Sequence, residues 1–202
     1  MMILKSTLPA LAGAALLALA SAPSAQGAQG ATTASAQPSS AVTQTDNPSR
    51  TLAASSLPSS TYWKPEHTSG RCITAHGGVR KGAKIDQYKC VGGANQKWSF
   101  VTVSATPPTY TIRPVSNAGL CVDIQGGDYS KGRQPILWNC NGRINQQFWI
   151  NCAGSLSKCN IHPDYGTQRG KCLSVKGGST ANNTPVILWS CNKSKDQRFT
   201  LR

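Results

Sequence analysis

The feature of this 202-residue chain that most limits its fold is a threefold internal repeat. A shift of about fifty residues superimposes three segments with a cysteine and two glycines: SGRCITAHGG, AGLCVDIQGG and RGKCLSVKGG. The same shift superimposes ANQKWSF, INQQFWI and KDQRFTL, whose shared glutamines are Gln96, Gln146 and Gln197. Each unit is too short to bury a core of its own, so we expect the three units to share one core.

The segments inside each unit predict β-strands. They are short, rich in Val, Ile, Leu and aromatic residues, and separated by Gly-Gly, Asn-Gly or Pro turn signals. No window sustains the 3.6-residue period of an amphipathic helix. Trp98, Phe148 and Phe199 recur at equivalent positions, and threefold symmetry would bring their rings together in the core. The sequence therefore predicts an all-β domain with pseudo-threefold symmetry.

The N-terminal part of the chain has a different composition. Residues 1–27 begin with Lys5, continue with an apolar Leu/Ala run that stops near Ala20, and end in small residues. This pattern predicts a secretory signal peptide rather than a membrane span, and hence a secreted, extracellular protein without a transmembrane segment. Residues 28–60 have too few large apolar side chains to offset the entropy of ordering, so we expect a disordered linker. Residues 61–202 form one predicted domain, with repeats at about 61–105, 106–155 and 156–202.

All eight cysteines lie within the predicted domain. An even number of cysteines in a secreted chain favours disulfides, and no pair has the Cys-x-x-Cys spacing of a zinc site. Cys152 and Cys159 could imitate metal ligands together with His162, but a disulfide is the better interpretation, and no metal site is predicted. The expected pairs are Cys72–Cys90, Cys121–Cys140, Cys152–Cys159 and Cys172–Cys191.

The three Gln-x-Trp or Gln-x-Phe triplets carry a family resemblance. Each is preceded by a cysteine pair and a Gly-Gly turn, and together they resemble the ricin B-chain-type lectins, which are β-trefoil carbohydrate-binding modules. The resemblance covers about residues 61–202 and all three repeats. It implies a β-trefoil fold and a lectin that binds glycans or polysaccharides, and no cofactor is expected.

The middle repeat contains the pattern of a sugar site. Alternation along a strand puts Cys121 and Asp123 on one face, and a bond from Cys121 to Cys140 would bring Trp138 beside Asp123. A carboxylate next to an indole suits a pyranose, because the carboxylate accepts hydroxyl hydrogen bonds while the ring covers the apolar face of the sugar. We expect Asp123 to point outward into water, since an unpaired buried carboxylate is costly.

The resemblance implies the same sugar-binding roles for Asp123, Trp138, Asn145 and Gln146, whose amide groups both donate and accept. Tyr129, on the loop after the two glycines, is a further candidate contact. Ile136 stands where the family often has Gln, which predicts an altered sugar preference or a reduced affinity.

The other two repeats depart from this pattern. Thr74 and Ser174 occupy the position of the middle-repeat aspartate, and Asp196 stands where the family has Asn. Asp86 could offer a displaced carboxylate in the first repeat. Without the charged acceptor each hydroxyl contact is weaker, so we expect the middle repeat to be the main site.

The formal net charge is +14, and basic residues are spread over all three repeats. This charge would attract polyanions such as acidic cell-wall polymers, whereas nucleic acid is not an expected physiological partner of a secreted protein. The three histidines and few carboxylates form no recognisable catalytic motif, so no enzyme activity is predicted. His76, beside Gly77, is interpreted as a loop residue rather than a base.

The leading hypothesis is therefore a free-standing secreted lectin that binds galactose-like residues or polysaccharide. The first alternative is a cell-surface targeting or adhesion subunit of a secreted, toxin-like assembly, which would bind a protein partner through the N-terminal linker. The second alternative is a secreted protein that binds polyanions through charge alone.

Overall fold

The structure is a computed structural model that describes residues 57–153, 155–163 and 170–202. The predicted signal peptide and most of the predicted linker lie outside the described residues. Leu57, which the predicted boundary assigns to the linker, is half-buried against the core. Within the described ranges no helix is long or apolar enough to cross a membrane.

The described residues form β-strands connected by turns and by 3-10 helices of three residues each. The twelve strands are β1 Thr61–Pro65, β2 Arg71–Ala75, β3 Ile85–Lys89, β4 Lys97–Ala105, β5 Pro108–Pro114, β6 Leu120–Asp123, β7 Ile136–Asn139, β8 Phe148–Cys152, β9 Cys159–Pro163, β10 Lys171–Val175, β11 Thr184–Ser190 and β12 Phe199–Leu201. The 3-10 helices are Ala94–Gln96, Gln125–Gly127, Ile144–Gln146, Lys176–Gly178 and Lys195–Gln197.

Two kinds of strand pairing build the domain. Six strands close into a barrel in the order β1-β12-β9-β8-β5-β4, and the other six form the hairpins β2–β3, β6–β7 and β10–β11. A six-stranded barrel with three hairpins, one from each repeat, is a β-trefoil, so the fold prediction is confirmed. We call the repeats lobe 1 (61–105), lobe 2 (106–155) and lobe 3 (156–202).

The repeated aromatic residues lie in the shared core. Trp98, Phe148 and Phe199 are fully buried, as predicted. Trp63, which the repeat pattern does not single out, packs edge-on against three rings. Its ring centroid lies 6.0 Å from that of Trp98, 6.5 Å from that of Phe100 and 5.3 Å from that of Phe199. The indole N–H of Trp98 donates to the carbonyl of Ile73 at 2.8 Å, so this buried polar atom is satisfied.

The four disulfides join the pairs that the cysteine spacing predicts: Cys72–Cys90, Cys121–Cys140, Cys152–Cys159 and Cys172–Cys191. His162 lies beside a different pair from the one considered in the sequence. Its Nδ1 is 3.7 Å from the sulfur of Cys172 and 3.6 Å from that of Cys191. Both sulfurs belong to a disulfide, so this cluster is not a set of free thiolate ligands.

Three buried glutamines tie each hairpin to the 3-10 helix that follows it. Gln96, Gln146 and Gln197 are fully buried. Their Oε1 atoms accept from the backbone N–H of Val91, Asn141 and Asn192, and their Nε2 atoms donate to the carbonyls of Lys89, Asn139 and Ser190. We call these residues the glutamine clamps, because each fixes a 3-10 helix against its own hairpin.

Neighbouring lobes interlock through the loops between hairpin strands. The N–H of Gly82 in lobe 1 donates to Leu137 in lobe 2 at 2.7 Å, and that of Gly132 in lobe 2 donates to Leu188 in lobe 3 at 2.8 Å. The N–H of Asn183 closes the cycle by donating to the carbonyl of a lobe 1 hairpin residue, Gln87, at 2.8 Å. Each hairpin is therefore positioned by two lobes.

Candidate functional site

The register of the β6–β7 hairpin places the two main candidates on one face. Cys121 lies opposite Trp138, and Asp123 lies opposite Ile136. Asp123 and Trp138 are therefore diagonal neighbours on the same face, as the disulfide spacing suggests. Val122, on the other face, is fully buried in the core.

A cavity of about 520 Å³ lies against this hairpin face. Of the five predicted contact residues, four line it: Asp123, Tyr129, Trp138 and Asn145. The loop after β6 curves around the cavity through Gly126 and Gly127, whose φ values of 69° and 67° favour glycine. Residues that the sequence did not single out also line the cavity, including Asn141, Arg143 and Ile144.

The sequence predicts that Asp123 points outward into water, but this prediction is wrong. Asp123 is buried, with only 3% of its surface exposed. Its Oδ1 accepts from Asn145 Nδ2 at 3.0 Å, and its Oδ2 accepts from Gln146 Nε2 at 2.7 Å. These two donors replace water, which makes burial of the carboxylate tolerable. Strand alternation could not reveal them, because they come from a 3-10 helix more than twenty residues later in the chain.

The pKa of the Asp123 carboxyl group is raised above 3.8. Burial is the main cause, because it penalises the charged form, whereas the hydrogen bonds from Gln146 and Asn145 act in the opposite direction. The carboxylate that faces the cavity is thus only partly hydrated and is held by two amides.

The structure differs from the sequence prediction for Gln146. Its side chain is fully buried and does not line the cavity. The amide already donates to Asp123 and to the carbonyl of Asn139, and it accepts from the N–H of Asn141. Gln146 therefore positions Asp123 from beneath the cavity and does not form part of its wall.

Trp138 presents an apolar surface at the cavity. Its side chain is 37% exposed, and the neighbouring Ile144 is also exposed. The Nζ of Lys81, from the interlocking loop of lobe 1, lies 4.0 Å from the centroid of the indole ring. This cation–π contact helps to fix the orientation of the ring.

Lobe 3 contains a second cavity, of about 550 Å³, at the equivalent position. It is lined by Ser174, Trp189 and Asp196, and Trp189 is exposed. The Oγ of Ser174 donates to Asp196 Oδ2 at 2.5 Å. The sequence analysis treated Ser174 as the loss of a charged acceptor. In lobe 3, however, the carboxylate belongs to Asp196, at the position of Asn145, and the serine at the position of Asp123 is the donor. The alignment of Asp196 with Asn145 in the sequence could have indicated that lobe 3 keeps a carboxylate at this cavity.

Lobe 1 has a different arrangement. Thr74 Oγ1 accepts from the clamp residue Gln96 at 3.0 Å and donates to the carbonyl of Cys72. Asp86, predicted as a displaced carboxylate, is buried, and its Oδ2 lies 2.5 Å from Nδ1 of His76. Burial raises the pKa of Asp86, and His76 acts in the opposite direction. His76 is thus not merely a loop residue, because it pairs with Asp86.

Two known proteins with similar sequences contain this region as a small part of a longer chain. Serine protease 1 of Rarobacter faecitabidus is 33% identical over 108 residues, which are 49% of this chain and 18% of that protein. The agglutinin of Ricinus communis is 24% identical over 115 residues, which are 52% of this chain and 18% of that protein. The chain thus matches less than a fifth of the length of each.

Solved structures of similar fold match most of the described domain. The designed threefold-symmetric protein ThreeFoil has a TM-score of 0.63 at 24% identity, covering 71% of this chain and 98% of its own. The ricin B-like lectin of Macrolepiota procera, solved with lactose, has a TM-score of 0.56 at 23% identity, covering 72% and 96%. At these identities the likeness shows the fold alone.

A family described as ricin-type beta-trefoil lectin domain-like matches residues 59–138 and 94–189, which together span more than half of the chain. The chain therefore belongs to the family of ricin-type β-trefoil lectin-like domains, a membership that implies carbohydrate binding.

Proposed function

We propose that this protein is a secreted, non-catalytic lectin that binds galactose-like residues or polysaccharide mainly in the lobe 2 cavity. One observation carries the proposal: a single cavity brings together a hydrogen-bonded carboxylate, an amide and an exposed indole, from Asp123, Asn145 and Trp138. Carbohydrate sites combine these groups because a pyranose has hydroxyls on its rim and an apolar C–H face.

Each group in the cavity contacts a different part of the sugar. Each oxygen of Asp123 accepts one amide hydrogen bond, and an ionised carboxylate has about four acceptor positions, so both oxygens can also accept from sugar hydroxyls. The indole of Trp138 stacks on the apolar face of the sugar, and Tyr129 adds a contact at the rim. Asn145 holds Asp123 through its Nδ2 and offers its amide oxygen to a further hydroxyl.

Burial favours the lobe 2 cavity over the lobe 3 cavity. Asp123 is buried and held by two amides, whereas Asp196 is half-buried and receives a hydroxyl donor, Ser174. A hydrogen bond to a charged acceptor is stronger where water competes less. We therefore assign the main site to lobe 2 and a weaker one to lobe 3.

A glycan array with matched variants tests this assignment. Trp138→Ala and Trp189→Ala each remove a partly exposed indole, one from each cavity, so neither should disrupt the core. Trp138→Ala should abolish most binding to galactose-containing glycans, and Trp189→Ala should retain most of it. Equal binding by both variants and the wild type would reject the site assignment, and no glycan binding by the wild type would reject the function.

The second candidate function is targeting within a larger secreted assembly. It is favoured by the matches in which the similar region is 18% of a longer protein. Mass measurement of the native secreted protein separates the two candidates. A free-standing lectin should have the mass of the processed chain alone, whereas a targeting subunit should be recovered with a second polypeptide.

A further inference from the structure

The lobe 2 cavity contains a cation that binding of a neutral sugar does not use. Arg143 lines the cavity and is exposed. Its backbone N–H donates to Asn141, but within residues 57–153, 155–163 and 170–202 its guanidinium group has no hydrogen bond or ion pair. A free guanidinium in the wall of a cavity can bind an anionic group of a ligand.

The charge of Arg143 is not neutralised by the carboxylate in the same cavity. Asp123 is bonded by two amides, and within the described residues no ion pair joins it to Arg143. Three other carboxylates of the described chain pair with other basic residues: Glu66 with Arg198, Asp86 with His76, and Asp128 with Arg133.

Comparison of the lobes shows that a basic residue at the position of Arg143 is not part of the repeated pattern. Gly93 and Ser194 occupy the position of Arg143 in lobes 1 and 3. The lobe 3 cavity is instead lined by Lys176, which stands where lobe 2 has Gln125. Both cavities therefore combine a carboxylate, an indole and a basic side chain, although the basic side chain enters from different positions.

We propose, building on the proposed function, that the lobe 2 cavity selects uronic acid residues, with Arg143 binding the sugar carboxylate while Asp123 accepts its hydroxyls. A planar guanidinium matches a carboxylate with two parallel hydrogen bonds. The excess of basic over acidic residues in the domain raises the local concentration of acidic polysaccharide around it. Arg143 is thus a specificity-determining residue, and the preferred sugar unit of the polysaccharide is one that carries a carboxylate.

A pair of small ligands isolates this contact from bulk charge. Methyl galactoside and methyl galacturonide differ only in the oxidation of C6 from an alcohol to a carboxylate. Calorimetry in a Trp189→Ala background, which disables the lobe 3 cavity, should give about tenfold tighter binding of the galacturonide. Arg143→Gln should bring the ratio of the two affinities close to one.

Lys97→Gln is the matched control, because Lys97 is exposed on β4, lines neither cavity and carries the same charge. This variant should keep the tenfold ratio. Equal affinity for both ligands in the Trp189→Ala protein, or the same loss in Lys97→Gln as in Arg143→Gln, would overturn the uronic acid proposal alone. No binding of either ligand would instead overturn the lectin function on which it rests.

Discussion

Asp123 is buried beneath the lobe 2 cavity, yet in the proposed site it acts as a hydrogen-bond acceptor for a sugar. The amides of Asn145 and Gln146 take one acceptor position on each of its oxygens and hold the carboxylate in a fixed orientation. A pre-oriented acceptor loses little side-chain entropy when a sugar binds, so more of the hydrogen-bond energy contributes to affinity.

Replacement of the charge alone should weaken sugar binding. Asp123→Asn keeps the size of the side chain but removes the ionised acceptor, so affinity for the preferred glycan should fall about tenfold or more. Calorimetry measures the change. Glu66→Gln, which alters an ion-paired carboxylate outside both cavities, should bind as the wild type does. Unchanged affinity in Asp123→Asn would show that the carboxylate is not a ligand-binding group.

Acidification should also weaken binding, because the bound hydroxyls need the ionised form of Asp123. Its pKa is raised above 3.8 by burial, so loss of affinity should begin at a higher pH than for an exposed aspartate. Affinity measured across mildly acidic pH should fall in the wild type and stay nearly constant in Asp123→Asn. Parallel curves for the two proteins would contradict this assignment.

Stability of the unliganded fold should depend on pH in the opposite sense. A carboxyl group whose folded-state pKa is raised stabilises the fold when protonated, and this contribution is lost as pH rises through that pKa. Asp123→Asn has no carboxyl group at this position to ionise, so it does not lose this part of the unfolding free energy as pH rises. The unfolding free energy of Asp123→Asn, measured in denaturant, should therefore improve relative to the wild type as pH rises from below 3.8.

At the scale of elements, the site depends on a hairpin and a 3-10 helix held together by a glutamine clamp. The β6–β7 hairpin carries Asp123 and Trp138, and the helix Ile144–Gln146 carries Asn145. Gln146 bonds to both elements. The clamp is present in all three lobes, but in lobe 2 it also donates to the cavity carboxylate. Gln146 therefore both stabilises the hairpin and holds Asp123 in the cavity.

Two clamp variants separate these roles. Gln146→Ala and Gln197→Ala each leave buried backbone groups unpaired, and each should lower the unfolding free energy by about 2 to 4 kcal/mol. Only Gln146→Ala also removes a donor from Asp123, so it alone should weaken glycan binding to lobe 2. Thermal unfolding and calorimetry report the two effects. A similar loss of affinity in both variants would indicate general destabilisation.

At the scale of the whole molecule, the lobes form one interlocked domain with a strongly basic composition. Loops of each lobe bond to the hairpin of the next, and the aromatic core is shared by all three. Lys81 of lobe 1 packs on Trp138 of lobe 2, and Lys131 of lobe 2 lies 5.7 Å from the ring of Trp189 in lobe 3. In both cavities a lysine from the preceding lobe thus lies over the indole ring.

The net charge predicts how binding responds to salt. Attraction of a polyanion to the +14 surface is long-ranged and is screened by added salt, whereas contacts with a neutral sugar are short-ranged. Raising the salt concentration about tenfold should weaken binding of a sulfated polymer severely and change binding of methyl galactoside by less than about twofold. Equal salt sensitivity for both ligands would favour the interpretation as a charge-driven polyanion binder.

The amino-acid sequence by itself determined the architecture. The spacing of cysteines, Gly-Gly turns and Gln-x-aromatic triplets repeats three times. Few folds can place three copies of the same strand pattern around one shared core. The pairing of Cys121 with Cys140 likewise followed from spacing, and it set Asp123 and Trp138 on one face of a hairpin, because side chains alternate along a strand.

Only the tertiary structure decided the burial of Asp123 and the partners of the other polar groups. Gln146, Asp196 and His76 come from segments distant in sequence from the groups they bond, or from the opposite strand, so local pattern could not assign their roles. Whether a carboxylate faces water or an amide depends on which distant segment packs over it. That depends on how the whole chain folds.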